Sequence, residues 1–255
     1  MAACEVHHVV EGPAGAPVLV LANSLGSTTT IWDALVPRLA PHLRVVRYDL
    51  RGHGRSPVPP GPYTLADLGE DVVALLDRLG VERASICGIS LGGMTGMWLA
   101  ANAPERVDRL VAMCTSAMLA EEHDWPARAK LVREQGTGAV AQASIERWFT
   151  PGFVAANPDT VARLRATLAD TPPEGYAGCC DAIAGMDLLD AIESVAAPTL
   201  VIAGRQDPAT PPPHAERIAE RIPGARLELV DAAHLANIEL ADDVTALTLA
   251  HLEGR

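Results

Sequence analysis

No apolar run in the 255 residues approaches the ~20 positions that a membrane-spanning helix needs. The start, MAACEVHH, carries neither the basic nor the apolar stretch of an export signal, so the sequence reads as cytoplasmic. Positive charge is scarce. With 20 Lys and Arg against 32 Asp and Glu the formal net charge is −12, and a chain so acidic repels another polyanion, which argues against a nucleic-acid partner. The five cysteines, Cys4, Cys87, Cys114, Cys179 and Cys180, are odd in number and include no CxxC pair, so neither a disulfide framework nor a metal site is suggested. They read as small buried hydrophobes; the neighbouring Cys179 and Cys180 have no chemical reading of their own. What remains, 49% apolar and 20% charged residues, is the composition of a packed globular protein rather than a disordered or fibrous chain.

Short β-branched runs punctuate the sequence: EVHHVV (5–10), PVLVLAN (17–23), RVVRYD (44–49), ASICGIS (84–90), DRLVAMC (108–114), PTLVIAG (198–204) and RLELVD (226–231). Several are apolar throughout, as expected of parallel strands covered on both faces by helices. The helical stretches between them have recognisable ends. One begins at Thr64, with Asp67 completing a capping box, places Leu65, Leu68, Val72, Leu75, Leu76 and Leu79 on one face and stops at Gly80. Another runs from just after Ser90 to Pro104, and a C-terminal one presents Leu240, Val244, Leu247 and Leu252 to the core. Between Leu119 and Ile192 helical periodicity continues with no convincing strand, interrupted by Pro151, Pro158, Pro172 and Pro173. The fold class is therefore α/β: a mostly parallel central sheet flanked by helices, with a core of residues 1–118 and 193–255 and an all-helical cap, or lid, over 119–192. Ligands of an open parallel sheet bind beyond the carboxyl ends of its strands, and an insertion there would roof the site.

Gly88-Ile89-Ser90-Leu91-Gly92 is a G-x-S-x-G at a strand-to-helix junction. The glycines suit a turn sharp enough to thrust the serine hydroxyl into the open; the plainer reading is a helix N-cap serine with no base nearby. A serine hydroxyl is a poor nucleophile at neutral pH, so an imidazole must take its proton and a carboxylate must hold the imidazole. Asp207 follows the strand PTLVIAG and His234 the strand RLELVD, giving the chain order Ser, Asp, His. Of the other histidines, His7 and His8 lie in a strand, His42 in a loop before one, His123 and His214 in polar helical or loop contexts, and His251 near the end. His53 in RGHGRS is the rival, with a structural role as open to it as a catalytic one. Asp231 lies so near His234 in sequence that it reads as a local turn former. Asn23-Ser24-Leu25-Gly26 follows a strand where an oxyanion loop belongs, making the backbone N–H groups of Leu25 and Leu91 the candidate donors.

Together these segments resemble the α/β-hydrolase family along nearly the whole chain. RYDLRGHGRSP (47–57) matches the loop after the second parallel strand, GISLGGMTGMWLAANAPERV (88–107) the nucleophile turn and its helix, and PTLVIAGRQDPATPP (198–212) with AAHLANIE (232–239) the acid and base loops. Within that family ANSLGS, ERWFTP (146–151), GYAGCCDAIAGMDL (175–188) and AAHLANIE resemble the 3-oxoadipate enol-lactonases. Asn23-Ser24 stands where most members carry His-Gly, and IELADD departs from the usual Gln-Pro after Ile-Glu. The resemblance implies a Ser-His-Asp acyl-enzyme mechanism without metal or organic cofactor. It implies a small carboxylate-bearing lactone as substrate, in aromatic-compound catabolism by the β-ketoadipate pathway. The same fold and triad would serve a carboxylesterase or another lactonase, a C–C bond hydrolase or a cofactor-free perhydrolase, whereas a ligand receptor would have no need of all three triad residues. An anionic substrate wants a local cation, and the insertion offers Arg128, Arg133, Arg147, Arg163 and Arg165, which the sequence does not separate. Ser24, Trp125, Trp148 and Arg133 stand as pocket candidates, with core packing open to both tryptophans. Met94 and Met97 read as core filler.

Overall fold

A computed structural model describes residues 2–119 and 124–254. All seven runs form strands: β1 (His8–Glu11), β2 (Val18–Ala22), β3 (Arg44–Tyr48), β4 (Ala84–Ile89), β5 (Val107–Met113), β6 (Thr199–Gly204) and β7 (Arg226–Val230). They join in one sheet of order β1-β3-β2-β4-β5-β6-β7, in which only β1 runs antiparallel to its neighbour. β4 and β6 are buried at every position, which is why their sequences are apolar without alternation. β1 starts later than the EVHHVV run because the His7 N–H leaves the ladder to donate to Ser56 Oγ at 2.9 Å.

Before the insertion lie α1 (Val36–Leu39), α2 (Leu65–Arg78) and α3 (Leu91–Asn102). Between β5 and β6 lie α4 (Trp125–Gln135), α5 (Gly138–Trp148), α6 (Pro151–Ala156), α7 (Pro158–Ala169) and α8 (Pro173–Ala184). The chain closes with α9 (Pro212–Arg221), α10 (Ala236–Glu239) and α11 (Ala241–Leu252). α2 opens on the reciprocal capping box of Thr64 and Asp67 and buries Leu65, Leu68, Val72, Leu75 and Leu76. Pro151, Pro158 and Pro173 each begin a helix, where the missing N–H has no intrahelical acceptor to lose. No helix among the described residues is long and apolar enough to cross a membrane, and all five cysteines are buried and free.

α11 packs its expected stripe on the core, and polar residues share that face. Its buried side is Val244, Thr245, Thr248 and His251, while Leu240, Leu247 and Leu252 are half-buried. The chain breaks at Leu240, where φ is −127°, so α11 does not continue the axis of α10. His251 Nε2 on that face lies 3.1 Å from the Pro198 carbonyl beside β6.

The topology fixes where a site can form. From β2 the chain passes to β3 on one side and returns to β4 on the other, so the order reverses between β2 and β4 and leaves a crevice at their carboxyl ends. Ala22 of β2 is in register with Gly88 of β4, which sets residues 23–26 beside Ser90.

Candidate active site

Ser90 sits between β4 and α3 with φ 56° and ψ −119°, a region that an L residue occupies only when its surroundings over-determine it. Its N–H donates to the Met113 carbonyl at 2.9 Å, and its carbonyl accepts from Thr115 Oγ1 at 2.7 Å. The flanking glycines are steric requirements. A Cβ on Gly88 would come 2.1 Å from the Gly92 carbonyl oxygen, and one on Gly92 would come 2.1 Å from that of Ala22.

The end of β6 packs on the loop after β7, so closely that a Cβ on Gly204 would lie 2.4 Å from the carbonyl oxygens of Ala232 and Ala233. That approach brings Asp207 to His234. Asp207 Oδ1 accepts from the N–H groups of Ala209 at 2.7 Å and Thr210 at 3.0 Å, and Oδ2 accepts from Thr210 Oγ1 at 2.7 Å and His234 Nδ1 at 2.8 Å. Burial alone would raise the carboxyl pKa, but the His234 charge and these hydrogen bonds outweigh it and hold Asp207 below the ordinary carboxylate value. An ionised carboxylate only accepts, so His234 Nδ1 donates this hydrogen bond and Nε2 is left facing away from the carboxylate. The sequence reading missed Thr210, although an aspartate capping the amides that follow it is the signature of an Asx turn.

The loop after β2 is anchored by buried Asn23, whose Nδ2 donates to the Tyr48 carbonyl at 2.7 Å and whose Oδ1 accepts from Trp32 Nε1 at 2.8 Å. The N–H groups of Leu25 and Leu91 donate to no acceptor among the described residues. His53 is buried and takes the structural role: Nε2 accepts from the Gly26 N–H at 3.0 Å and Nδ1 donates to the Arg51 carbonyl at 3.1 Å. His7 pairs with Asp49, His214 with Ser116 and exposed Asp231 with Gln206, all away from Ser90, and His123 lies outside the described residues.

Ser24, Leu25, Ser90, Met94, Thr210 and His234 line one cleft with Trp125, Arg128, Ser144, Arg147, Trp148 and Tyr176 from α4, α5 and α8. The space between its walls, with the open solvent at its mouth, comes to about 520 Å³. Met94 thus joins the lining, whereas Met97 is core. Arg128 donates to Tyr176 Oη through Nε (3.0 Å) and Nη2 (2.6 Å), and to Ser144 Oγ at 2.7 Å. These hydroxyls orient the guanidinium without neutralising it. Burial, then the neighbouring Arg128 charge, pulls the Arg147 pKa below its ordinary value. Arg133 does not line the cleft, contrary to expectation: Glu174 at 3.0 Å and Asp181 at 2.6 Å, both on α8, hold its guanidinium in ion pairs. Arg163 and Arg165 are exposed on α7. Ser144 and Tyr176 were missed, yet Trp125 with Arg128, and Ser144 with Arg147 and Trp148, follow the i, i+3, i+4 spacing of a single helix face.

The chain belongs to the α/β-hydrolase fold family, which it matches over residues 17–240. It is 42% identical to 3-oxoadipate enol-lactonase 2 of Acinetobacter baylyi over 92% of this chain and 88% of that one, and 39% identical to 3-oxoadipate enol-lactonase 1 of the same organism over 90% and 86%. The crystal structure of the enol-lactonase from Burkholderia xenovorans LB400 superposes with a TM-score of 0.96 at 40% identity, covering 98% of this chain and 97% of that one.

Proposed function

We propose that this hydrolase opens the ring of 3-oxoadipate enol-lactone, releasing 3-oxoadipate, with Ser90 as nucleophile, His234 as general base and acid, and Asp207 as its orienting carboxylate. The observation that carries the reading is the composition of the cleft. It joins a serine and a carboxylate-held imidazole to two arginines, Arg128 and Arg147, that have no carboxylate partner among the described residues. That set suits a small ester bearing an anion, and the named relatives supply the identity of the ester.

In this mechanism His234 Nε2 takes the hydroxyl proton as Ser90 Oγ attacks the lactone carbonyl. The Leu25 and Leu91 N–H groups receive the oxyanion. Collapse breaks the ring C–O bond; the enol oxygen leaves with the proton held by His234 but stays tethered through the carbon chain. A water deprotonated by His234 then attacks the acyl-enzyme, Ser90 regains its proton, and the free enol tautomerises to the ketone. The substrate carboxylate lies against Arg128 and Arg147, a local attraction that a net charge of −12 does not cancel because screening confines each charge to ~8–10 Å. Residues 119–192 serve as a cap over this reaction in the cytoplasm, and residues 1–118 and 193–255 as the catalytic core.

The test mixes purified protein with the enol-lactone, follows its ultraviolet absorbance and compares kcat/KM with that for neutral aryl esters. The lactone should be preferred by orders of magnitude, and Ser90→Ala should abolish turnover. A preferred aryl ester would move the function to a general esterase, and an active Ser90→Ala would remove the serine mechanism.

A further inference from the structure

Residue 53 is a histidine that the proposed chemistry leaves unused. It is fully buried, and both ring nitrogens are committed: Nδ1 donates to the Arg51 carbonyl at 3.1 Å and Nε2 accepts from the Gly26 N–H at 3.0 Å. Gly26 follows Leu25 directly, so the peptide that His53 grips adjoins the one that carries the candidate Leu25 N–H, and Leu25 lines the cleft. The grip itself is rigid. Arg51 is fixed by two hydrogen bonds of 2.6 Å to Asp71 and one of 3.1 Å to the Asp67 carbonyl, and Gly52 lies so close to α8 that a Cβ on it would come 2.3 Å from Gly175 Cα.

Resting on the oxyanion reading of Leu25, we propose that His53 is a positioning residue for the proposed reaction: as a neutral acceptor at Nε2 it sets the Gly26 peptide and so aims the Leu25 N–H at the oxyanion. Only the Nδ1–H tautomer can do this, because a protonated ring would turn a second donor on the Gly26 N–H. Burial keeps the ring neutral, lowering its pKa to about 4 against the raising effects of the Arg51 carbonyl and Asp49. The other side of the same peptide is packed by the cap: a Cβ on Gly26 would meet Leu168 and Tyr176 at 3.0–3.1 Å, and the Tyr176 ring centroid is 6.4 Å from that of His53. Tyr176 is also the residue whose hydroxyl takes two hydrogen bonds from Arg128. The anion-facing arginine and the oxyanion loop therefore meet on one buried seam.

The two amide replacements of histidine separate its nitrogens. Asn places a donor near Nδ1 and has nothing at Nε2, whereas Gln reaches the Nε2 position with a carbonyl oxygen that can accept from Gly26. Wild type, His53→Asn and His53→Gln are assayed on the lactone and on a small aryl ester, with fluorophosphonate inactivation reading Ser90 directly and a thermal melt reading the fold. His53→Asn should lose about 10–100-fold in kcat and in inactivation rate, less than outright removal of an oxyanion donor, with KM within about threefold of wild type. His53→Gln should recover most of the loss. Equal losses in both variants, a loss confined to KM, or rates in both that match wild type would overturn the proposal. Loss of lactone turnover in wild type alone, with ester cleavage and inactivation intact, would instead overturn the substrate assignment and leave the His53 comparison decided on the ester.

Discussion

Arg128 and Arg147 share one cleft; Arg128 is held by the hydroxyls of Tyr176 and Ser144, and neither arginine has a carboxylate partner among the described residues, which in the proposed reading leaves the substrate anion to supply one. Charge-assisted hydrogen bonds of this type contribute about 1.5–3 kcal/mol each. Arg147→Met, which keeps the side chain's bulk and removes its charge, should therefore weaken kcat/KM for the lactone by about 10–100-fold and leave a neutral aryl ester within about threefold. Equal losses on both substrates would show that Arg147 packs the cleft rather than binding the anion. The sequence put five arginines on the insertion and offered Arg133 as the pocket candidate, whereas Arg128 and Arg147 line the cleft. Arg133 stands five residues after Arg128, about 140° around the same helix, and that rotation delivers it to Glu174 and Asp181 instead of the cleft. Which face of α4 turns inward is decided by its packing on α8, a contact with no local signature. Ser90 was legible because its backbone angle demands small neighbours, and the GISLG pattern records that demand directly.

Two of the motifs that resembled the enol-lactonases, ERWFTP and AAHLANIE, turn out to be one joint between elements. Glu239 at the end of α10 accepts from the Thr150 N–H at 2.5 Å and the Ala233 N–H at 3.0 Å, while the Leu235 N–H donates to the Trp148 carbonyl at 2.9 Å. One carboxylate thus ties the start of α6 to the loop that carries His234. Glu239→Ala strands two N–H groups, and at about 1–3 kcal/mol for each group left buried and unpaired the melting temperature should fall by several degrees, with kcat falling as His234 loosens. An unchanged melt with unchanged kcat would mean that the joint is solvated and bears no strain. α2 was legible to within a residue of its end, at Arg78 with Leu79 as its cap, because its N-terminal cap, its apolar stripe and its terminal glycine are all local. The apolar stripe of α11 was legible too, since Leu240, Val244, Leu247 and Leu252 all pack on the core, but the polar residues sharing that face, Thr245, Thr248 and His251, carry no hydrophobic signal. The prolines of the insertion read as breaks, and each of the three at a helix start is also a beginning.

For the molecule as a whole, the rhythm of apolar runs was enough for a parallel sheet with helices on both sides, but the strand order was not legible, since no single strand encodes its neighbours. The folded state also couples to acid. His53 titrates near 6.5 when unfolded and at about 4 when buried, so below the unfolded value the unfolded chain binds a proton that the native ring refuses. Stability is fully present above about pH 6.5 and is lost as pH falls toward 4, by at most about 3 kcal/mol from this group. Asp207, held below its ordinary value, acts in the same direction at lower pH. Asp49, the Arg51 carbonyl and the Tyr176 ring lie around His53, and no second imidazole among the described residues is in contact with it. Urea midpoints should drop between pH 7 and pH 4.5, and His53→Gln should flatten that drop. Equal slopes in the two proteins would place the acid sensitivity elsewhere.

The central claim is covalent: the lactone passes through an ester on Ser90. Because the leaving oxygen stays tethered, opening the ring adds the whole substrate to the enzyme and expels nothing. Acid-quenching the enzyme within its first turnover and weighing the peptide that contains Gly88 to Gly92 should reveal an adduct of the full lactone mass on Ser90, absent from Ser90→Ala. Product accumulating at the wild-type rate with no adduct on that peptide, or in the Ser90→Ala protein, would contradict it.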